Sequence, residues 1–248
     1  GYTGTLFHWN KEFVLLLAKY YTVYLIDNRF IGLSESINPD TMHGFALDVR
    51  DFIDAKNLKK PYVLGWSMGG AIVQELSLIY AHNLSGIILM STVPNLTKCT
   101  NFEFTNLLIK YKSQISTMNT HNITDNKLVN ANNDLYHIKN LEFKKQLHFF
   151  FFSDKSYHKT KNLIITNALN FENYSYRLEL KAKDLQDQIN TNWSGVSELQ
   201  LMSIKLPALV LWAKNDMVVN HHAIDFFKNL PNTTFNIYKT GAHFLIHR

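Results

Sequence analysis

The 248-residue sequence predicts an α/β protein: a doubly wound, mostly parallel sheet that carries a mainly helical insertion. Three observations lead there. Short β-branched and aromatic runs alternate with stretches of helical period from Tyr20 to Thr92. The same alternation returns from Pro207 to Thr240. Between the two, the strand signal fades and asparagine becomes frequent, as in NTHNITDNKLVNANND. The expected organisation is therefore core at 1–95, a helical cap or lid at 96–199, and a second piece of core at 200–248.

In chain order, YYTVYLID (Tyr20 to Asp27) is rich in strand formers and predicts a buried strand. TMHGFALDVRDFIDAKNL predicts a helix, because Phe45, Val49, Phe52 and Ile53 recur at helical spacing. PYVLGW is a short strand. AIVQELSLIYAHN is a helix with Ile72, Leu76 and Ile79 on one side, and GIILMST is an apolar strand. In the middle, FEFTNLLIKYK and YRLELKAKDLQDQI look helical and are separated by polar stretches. PALVLWAK and TFNIYKT are the last strands, with HHAIDFFKNL as a helix between them. Core strands flank the insertion on both sides, which favours a cap on one sheet over an independent domain.

Composition excludes several classes. Hydrophobic residues make up 46% and charged residues 18%, so a core can be buried and the surface stays in water. The net charge of +5 is spread out. Only short pairs such as Lys59-Lys60 and Lys144-Lys145 occur, and no basic arm suggests a nucleic-acid partner. A single cysteine, Cys99, permits no intrachain disulfide and fits a reducing, cytoplasmic setting. No window approaches the roughly 18 apolar residues of a membrane span. The densest apolar knot, Phe149 to Phe152, is far too short.

The stretch YVLGWSMGG carries the chemistry. Gly65-Trp66-Ser67-Met68-Gly69 matches G-x-S-x-G, with a strand before it and an amphipathic helix after it. That setting suits a serine held on a sharp, strained turn, flanked by glycines because side chains there clash. The bland reading is an ordinary serine in a Gly-rich loop. A reactive serine needs a base, and the base an orienting acid. Both are expected downstream in the order acid, then histidine. Asp216 follows ALVLWAKN and His243 follows FNIYKTGA, each where a parallel strand delivers a loop to the carboxyl edge of the sheet.

With 11 histidines in the chain, alternatives must be weighed. His221 and His222 begin a helix and read as surface or cap residues. His243 and His247 are four apart, but no cysteine or carboxylate beside them suggests a metal site. His8 reads as structural, and Cys99 as a buried or incidental thiol. No metal or organic cofactor is expected.

These residues resemble the α/β-hydrolase superfamily. GYTGT (Gly1 to Thr5) is similar to the end of its oxyanion loop. DNRFIGLSE is similar to its D-x-R-G-x-G-x-S loop, with Phe30 where a glycine is usual. GWSMGG is similar to its nucleophile elbow, LVLWAKNDMVV to its acid loop and GAHF to its histidine loop. The resemblance implies a serine hydrolase acting on an ester, thioester or lactone of a small to medium hydrophobic substrate. Ser67 is then nucleophile, His243 base and Asp216 acid, and the backbone N–H groups of Tyr2 and Met68 form the oxyanion hole. Related members cleave carbon–carbon bonds or act as perhydrolases, and a hydrolase-fold protein that binds a ligand with little turnover is a further alternative. Trp66 either walls a substrate pocket or packs under the elbow. The aromatics at Phe149 to Phe152 beside His148 either line a pocket or bury the cap. The family also has strands before the oxyanion loop and a helix after the histidine. The resemblance therefore implies a chain truncated at both ends, with a gap between the strands at Tyr21–Asp27 and Pro61–Trp66.

Overall fold

The computed structural model describes residues 1–2, 4–32, 34, 41–95, 106, 176–220 and 222–247. Four strands among them form one parallel sheet: β1 (Tyr62–Trp66), β2 (Gly86–Met90), β3 (Ala208–Ala213) and β4 (Thr233–Tyr238). They lie across the sheet in that order. Trp66 stands opposite Met90, Met90 opposite Leu211, and Ala213 opposite Tyr238. The carboxyl ends of all four strands therefore open on one edge of the sheet.

The central strands β2 and β3 are near-continuous apolar runs because both faces are covered. Alternate residues serve two cores. Ile87, Leu89, Ala208 and Val210 face the larger one, whereas Met90 and Ala213 face a smaller one with Trp66, Phe244 and Leu245. Burying each such large side chain stabilises the fold by about 1.5–3 kcal/mol.

Among the helices, α1 (Lys11–Ala18) is capped by Asn10, whose side chain accepts from the Phe13 N–H. The next, α2 (Met42–Ala55), starts at Thr41, which accepts from Gly44 N–H, and buries Met42, Phe45, Ala46 and Ile53 along one stripe. The helix α3 (Met68–Tyr80) connects β1 to β2, packs on both, and takes α2 against its flank. Two further helices follow, α4 (Tyr176–Asn192) and α5 (Glu198–Ser203), the latter opened by a Ser197–Gln200 capping box. Ile189, Trp193, Val196, Leu201 and Ile204 join the larger core, so α5 and the end of α4 pack directly on the sheet layer. Finally, α6 (Ala223–Phe227) bridges β3 and β4 and is shorter than the ten-residue pattern predicted.

One predicted element is absent. Tyr20–Asp27 is not a strand, although its residues favour one. A strand requires ladder partners, and this segment does not pair with β1. A cavity of about 1120 Å³ lies between them, lined by Thr22 to Ile26 on one side and Tyr62 to Trp66 on the other. Tyr21 and Tyr62 meet edge-on across it, ring centroids 6.3 Å apart.

The loop that follows, Asp27 to Ser34, is held by its own side chains. Asp27 accepts from the Leu6 N–H at 2.6 Å, and Ser34 Oγ donates to the Asp27 carbonyl at 2.7 Å. Burial raises the Asp27 carboxyl above its usual range, and the Leu6 bond opposes that rise. Arg29 pairs with Asp48 and donates to the Gly44 carbonyl at 3.2 Å, tying the loop to α2. Phe30 sits at φ 67°, in the left-handed region. That explains why a glycine is usual there.

FEFTNLLIKYK apart from residue 106, together with Cys99, His148 and Phe149–Phe152, lies outside the described residues. Among the described residues no helix is long and apolar enough to cross a membrane.

Candidate active site

The site grows from the end of β1. Ser67 occupies the N-cap of α3 with φ 54° and ψ −123°, a conformation L-residues rarely adopt. A serine at an N-cap ordinarily bonds an amide of its own helix. Ser67 makes no such cap bond. Its backbone is held instead. The Ser67 N–H donates to Met90 O at 2.9 Å, and its carbonyl accepts from the Gly70 N–H at 2.8 Å and from Thr92 Oγ1 at 2.7 Å.

The glycines around the serine are not equivalent. A Cβ on Gly65 would come within 2.2 Å of Gly69 O, and one on Gly70 within 2.4 Å of the Thr92 side chain. A Cβ on Gly69 would meet nothing closer than Gly1 N at 3.7 Å. The expectation that the two glycines of the five-residue pattern both prevent clashes is therefore corrected. Gly65 does so, and its partner is Gly70, one position beyond the pattern. Gly70 faces a threonine that follows β2, a neighbour that local spacing does not reveal.

The structure brings Ser67, His243 and Asp216 into one hydrogen-bonded line. His243 Nε2 lies 2.9 Å from Ser67 Oγ. His243 Nδ1 lies 2.9 Å from Asp216 Oδ2 and 3.1 Å from Asp216 Oδ1. Asp216 Oδ1 also accepts from the N–H groups of Val218 at 2.9 Å and Val219 at 3.0 Å, which fixes the carboxylate plane. A carboxylate only accepts, so this arrangement suits the tautomer with its proton on Nδ1 and a lone pair on Nε2 aimed at the serine hydroxyl. The side chains of His243 and Asp216 are both fully buried.

Met68 is the first residue of α3, so its amide has no acceptor within its own helix and lies at the positive end of the helix dipole. The Gly1 loop lies beside it. A Cβ on Gly1 would strike the Trp66 ring at 2.2 Å, and Gly1 N is the nearest atom to the outer face of Gly69. The Tyr2 hydroxyl donates to Asp187 Oδ1 of α4 at 2.6 Å, so that side chain anchors the loop to α4. Trp66 is 6% exposed. Its indole packs on the rings of His243 and Phe244, at centroid distances of 5.4 and 4.1 Å.

His8 lies in a 3-10 turn (Leu6–His8), exposed, with its ring nitrogen 3.0 Å from Thr5 Oγ1. His222 is exposed, and His221 lies outside the described residues. Among the described residues no group of three or more histidine, cysteine or carboxylate side chains is placed to hold a metal. The large cavity beside β1 is lined by neither Ser67 nor His243. Residues that sequence reasoning missed are Gly70, Thr92 and Asn215. Their roles depend on contacts between separate strand ends.

Comparison with known proteins agrees with this fold. The profile of the family described as alpha/beta hydrolase fold matches residues 1–247, and the chain belongs to that family. It is 24% identical over 233 residues to the pimeloyl-[acyl-carrier protein] methyl ester esterase of Wigglesworthia glossinidia brevipalpis, covering 93% of this chain and 77% of the relative. Among solved structures it is similar to a lipase-esterase related protein from Clostridium acetobutylicum ATCC 824, with TM-score 0.62, 22% identity, and coverage of 96% of this chain and 84% of the other. An alpha/beta hydrolase fold protein from Chitinophaga pinensis superposes with TM-score 0.66 at 21% identity, covering 99% of this chain and 81% of that one.

Proposed function

We propose that this α/β hydrolase is a serine hydrolase that cleaves an ester, thioester or lactone of a small to medium hydrophobic substrate through an acyl-enzyme. One observation carries the reading. Ser67 stands where a serine would cap its helix, yet it is strained to φ 54° and places Oγ 2.9 Å from His243 Nε2. Backbone strain of this kind costs stability and gathers at functional sites.

In the proposed reaction Ser67 Oγ attacks the carbonyl carbon while its proton passes to His243 Nε2. Asp216 holds the Nδ1 proton and stabilises the imidazolium. The Met68 and Tyr2 N–H groups receive the developing oxyanion, where one donor is worth about 10²–10³ in rate. The tetrahedral intermediate expels the alcohol or thiol, which takes the proton from Nε2. Water, deprotonated by His243, then attacks the acyl-enzyme, and collapse releases the acid and restores Ser67. The residues supply every proton transfer without a metal or organic cofactor. Residues 96–199 are proposed as the cap that selects the substrate. The ester assignment draws support from the relative named as a methyl ester esterase.

A fluorophosphonate probe should label the protein at Ser67, and p-nitrophenyl esters of graded acyl length should be turned over. S67A should lose the label, and its kcat should fall by roughly 10⁴-fold or more. Undiminished turnover in S67A would remove the assignment. Binding of esters without labelling or turnover would instead mark a ligand-binding protein.

A further inference from the structure

The histidine loop has an arrangement that the proposed chemistry does not by itself require. The Trp66 indole Nε1–H donates to the carbonyl of His243 at 2.9 Å, inside the buried core. On the other side, Asn215 Oδ1 accepts from the Ala242 N–H at 2.9 Å. The peptide unit entering Ala242 and the one leaving His243 are therefore each held by a side chain, one on either side of the Ala242–His243 unit. Trp66 directly precedes Ser67 and Asn215 directly precedes Asp216. Each residue that His243 must meet thus sends its chain neighbour to hold the histidine loop.

The loop needs such support. Gly241 has φ 142° and Ala242 has φ 51°, two successive positive angles just before His243. An alanine in that region is strained and persists only where its surroundings hold it there. Local sequence does not hold it, whereas the Asn215 bond falls on the Ala242 amide itself. The Trp66 ring also packs against the imidazole, with centroids 5.4 Å apart and planes 52° apart. Bond and ring contact together restrict both the position and the tilt of His243.

We propose that Trp66 and Asn215 are positioning residues that lock the His243 backbone in register with Ser67 and Asp216, so that placing the serine and the acid also places the base. The proposal rests on the reading of His243 as the base. A histidine displaced by a fraction of an ångström still binds substrate but transfers protons poorly, and misplacement of about 1 Å can cost 10²-fold in rate. The loss should therefore fall on kcat rather than KM.

The test uses the full chain and the p-nitrophenyl ester turned over best. W66F keeps a ring but removes the donor. N215L removes the acceptor, and N215D restores an oxygen at the same reach. Rates are read on the plateau of the pH profile and well below each variant's Tm. W66F and N215L should each lower kcat by about 10–100-fold with KM within about twofold, and N215D should recover most of the rate. If N215L does not fold, N215S, too short to reach the Ala242 amide, replaces it. Three results would overturn the lock: unchanged kcat in W66F and the Asn215 variants, a loss confined to KM, or an N215D as slow as N215L. S67A separates this failure from that of the underlying reading. An active S67A removes the serine mechanism itself, whereas an inactive S67A beside fully active W66F and N215L removes the lock alone.

Discussion

The nucleophile turn follows β1 and the histidine loop follows β4, at the same edge of the sheet, and both carry positive φ values, yet they are held in opposite ways. Ser67 is set largely by its immediate surroundings: Gly65 two residues back in β1, Gly70 in the first turn of α3, and one rung to β2. The His243 loop is set by side chains 27 and 177 residues from the backbone groups they hold. A self-supporting turn is robust to changes elsewhere and intolerant of changes within itself. A borrowed support makes the loop sensitive to substitutions at residues that touch no substrate.

The comparison can be pressed with substitutions of decreasing effect. D216N keeps an oxygen for the Val218 and Val219 amides but presents an amide to His243 Nδ1, which favours the wrong tautomer. A fall in kcat of about 10⁴-fold is expected with the fold intact; less than tenfold in a steady-state assay would detach Asp216 from the reaction. Next come the glycines of the turn. G65A drives a methyl group to 2.2 Å from a backbone oxygen that cannot yield, so a loss of roughly 1–3 kcal/mol or more is expected in denaturant titration. G69A meets its nearest atom at 3.7 Å and lies in α3, where alanine is the better helix former by roughly 0.5–1 kcal/mol. Stability should hold or rise, and equal losses in the two variants would show that the turn does not distinguish its glycines. The smallest effect belongs to T92V. It removes the hydroxyl bond to the Ser67 carbonyl while the Gly70 amide keeps its own bond, so about 1 kcal/mol should be lost. No loss in T92V would leave the turn wholly self-supporting.

Legibility in the sequence follows the same division. β1 to β4 and the helices α2 and α3 could be read because their apolar periods match the faces they bury. Ser67, Asp216 and His243 could be nominated from chain order, because strand ends in a parallel sheet converge, and the structure brings their side chains into contact. Tyr20–Asp27 could not be read correctly, since its composition favours a strand while its state depends on a partner across the cavity at β1. Gly70 escaped notice because the atom it must clear belongs to Thr92. Trp66 reads equally as pocket wall or as packing in the sequence, because the acceptor of its indole N–H, the His243 carbonyl, lies 177 residues away.

The sequence by itself determined the alternation of strands and helices, the strained serine between glycines, and the order of serine, acid and histidine. These depend on short-range properties: hydrophobic period, backbone freedom at glycine, and residue chemistry. Only the tertiary structure decided that Ser67 forgoes its helix cap for His243, that Tyr20–Asp27 lacks a ladder, and that Trp66 and Asn215 hold the histidine loop. Each of these is a contact between segments far apart in the chain, and such contacts come into being only when the strand ends are brought to one edge of the sheet.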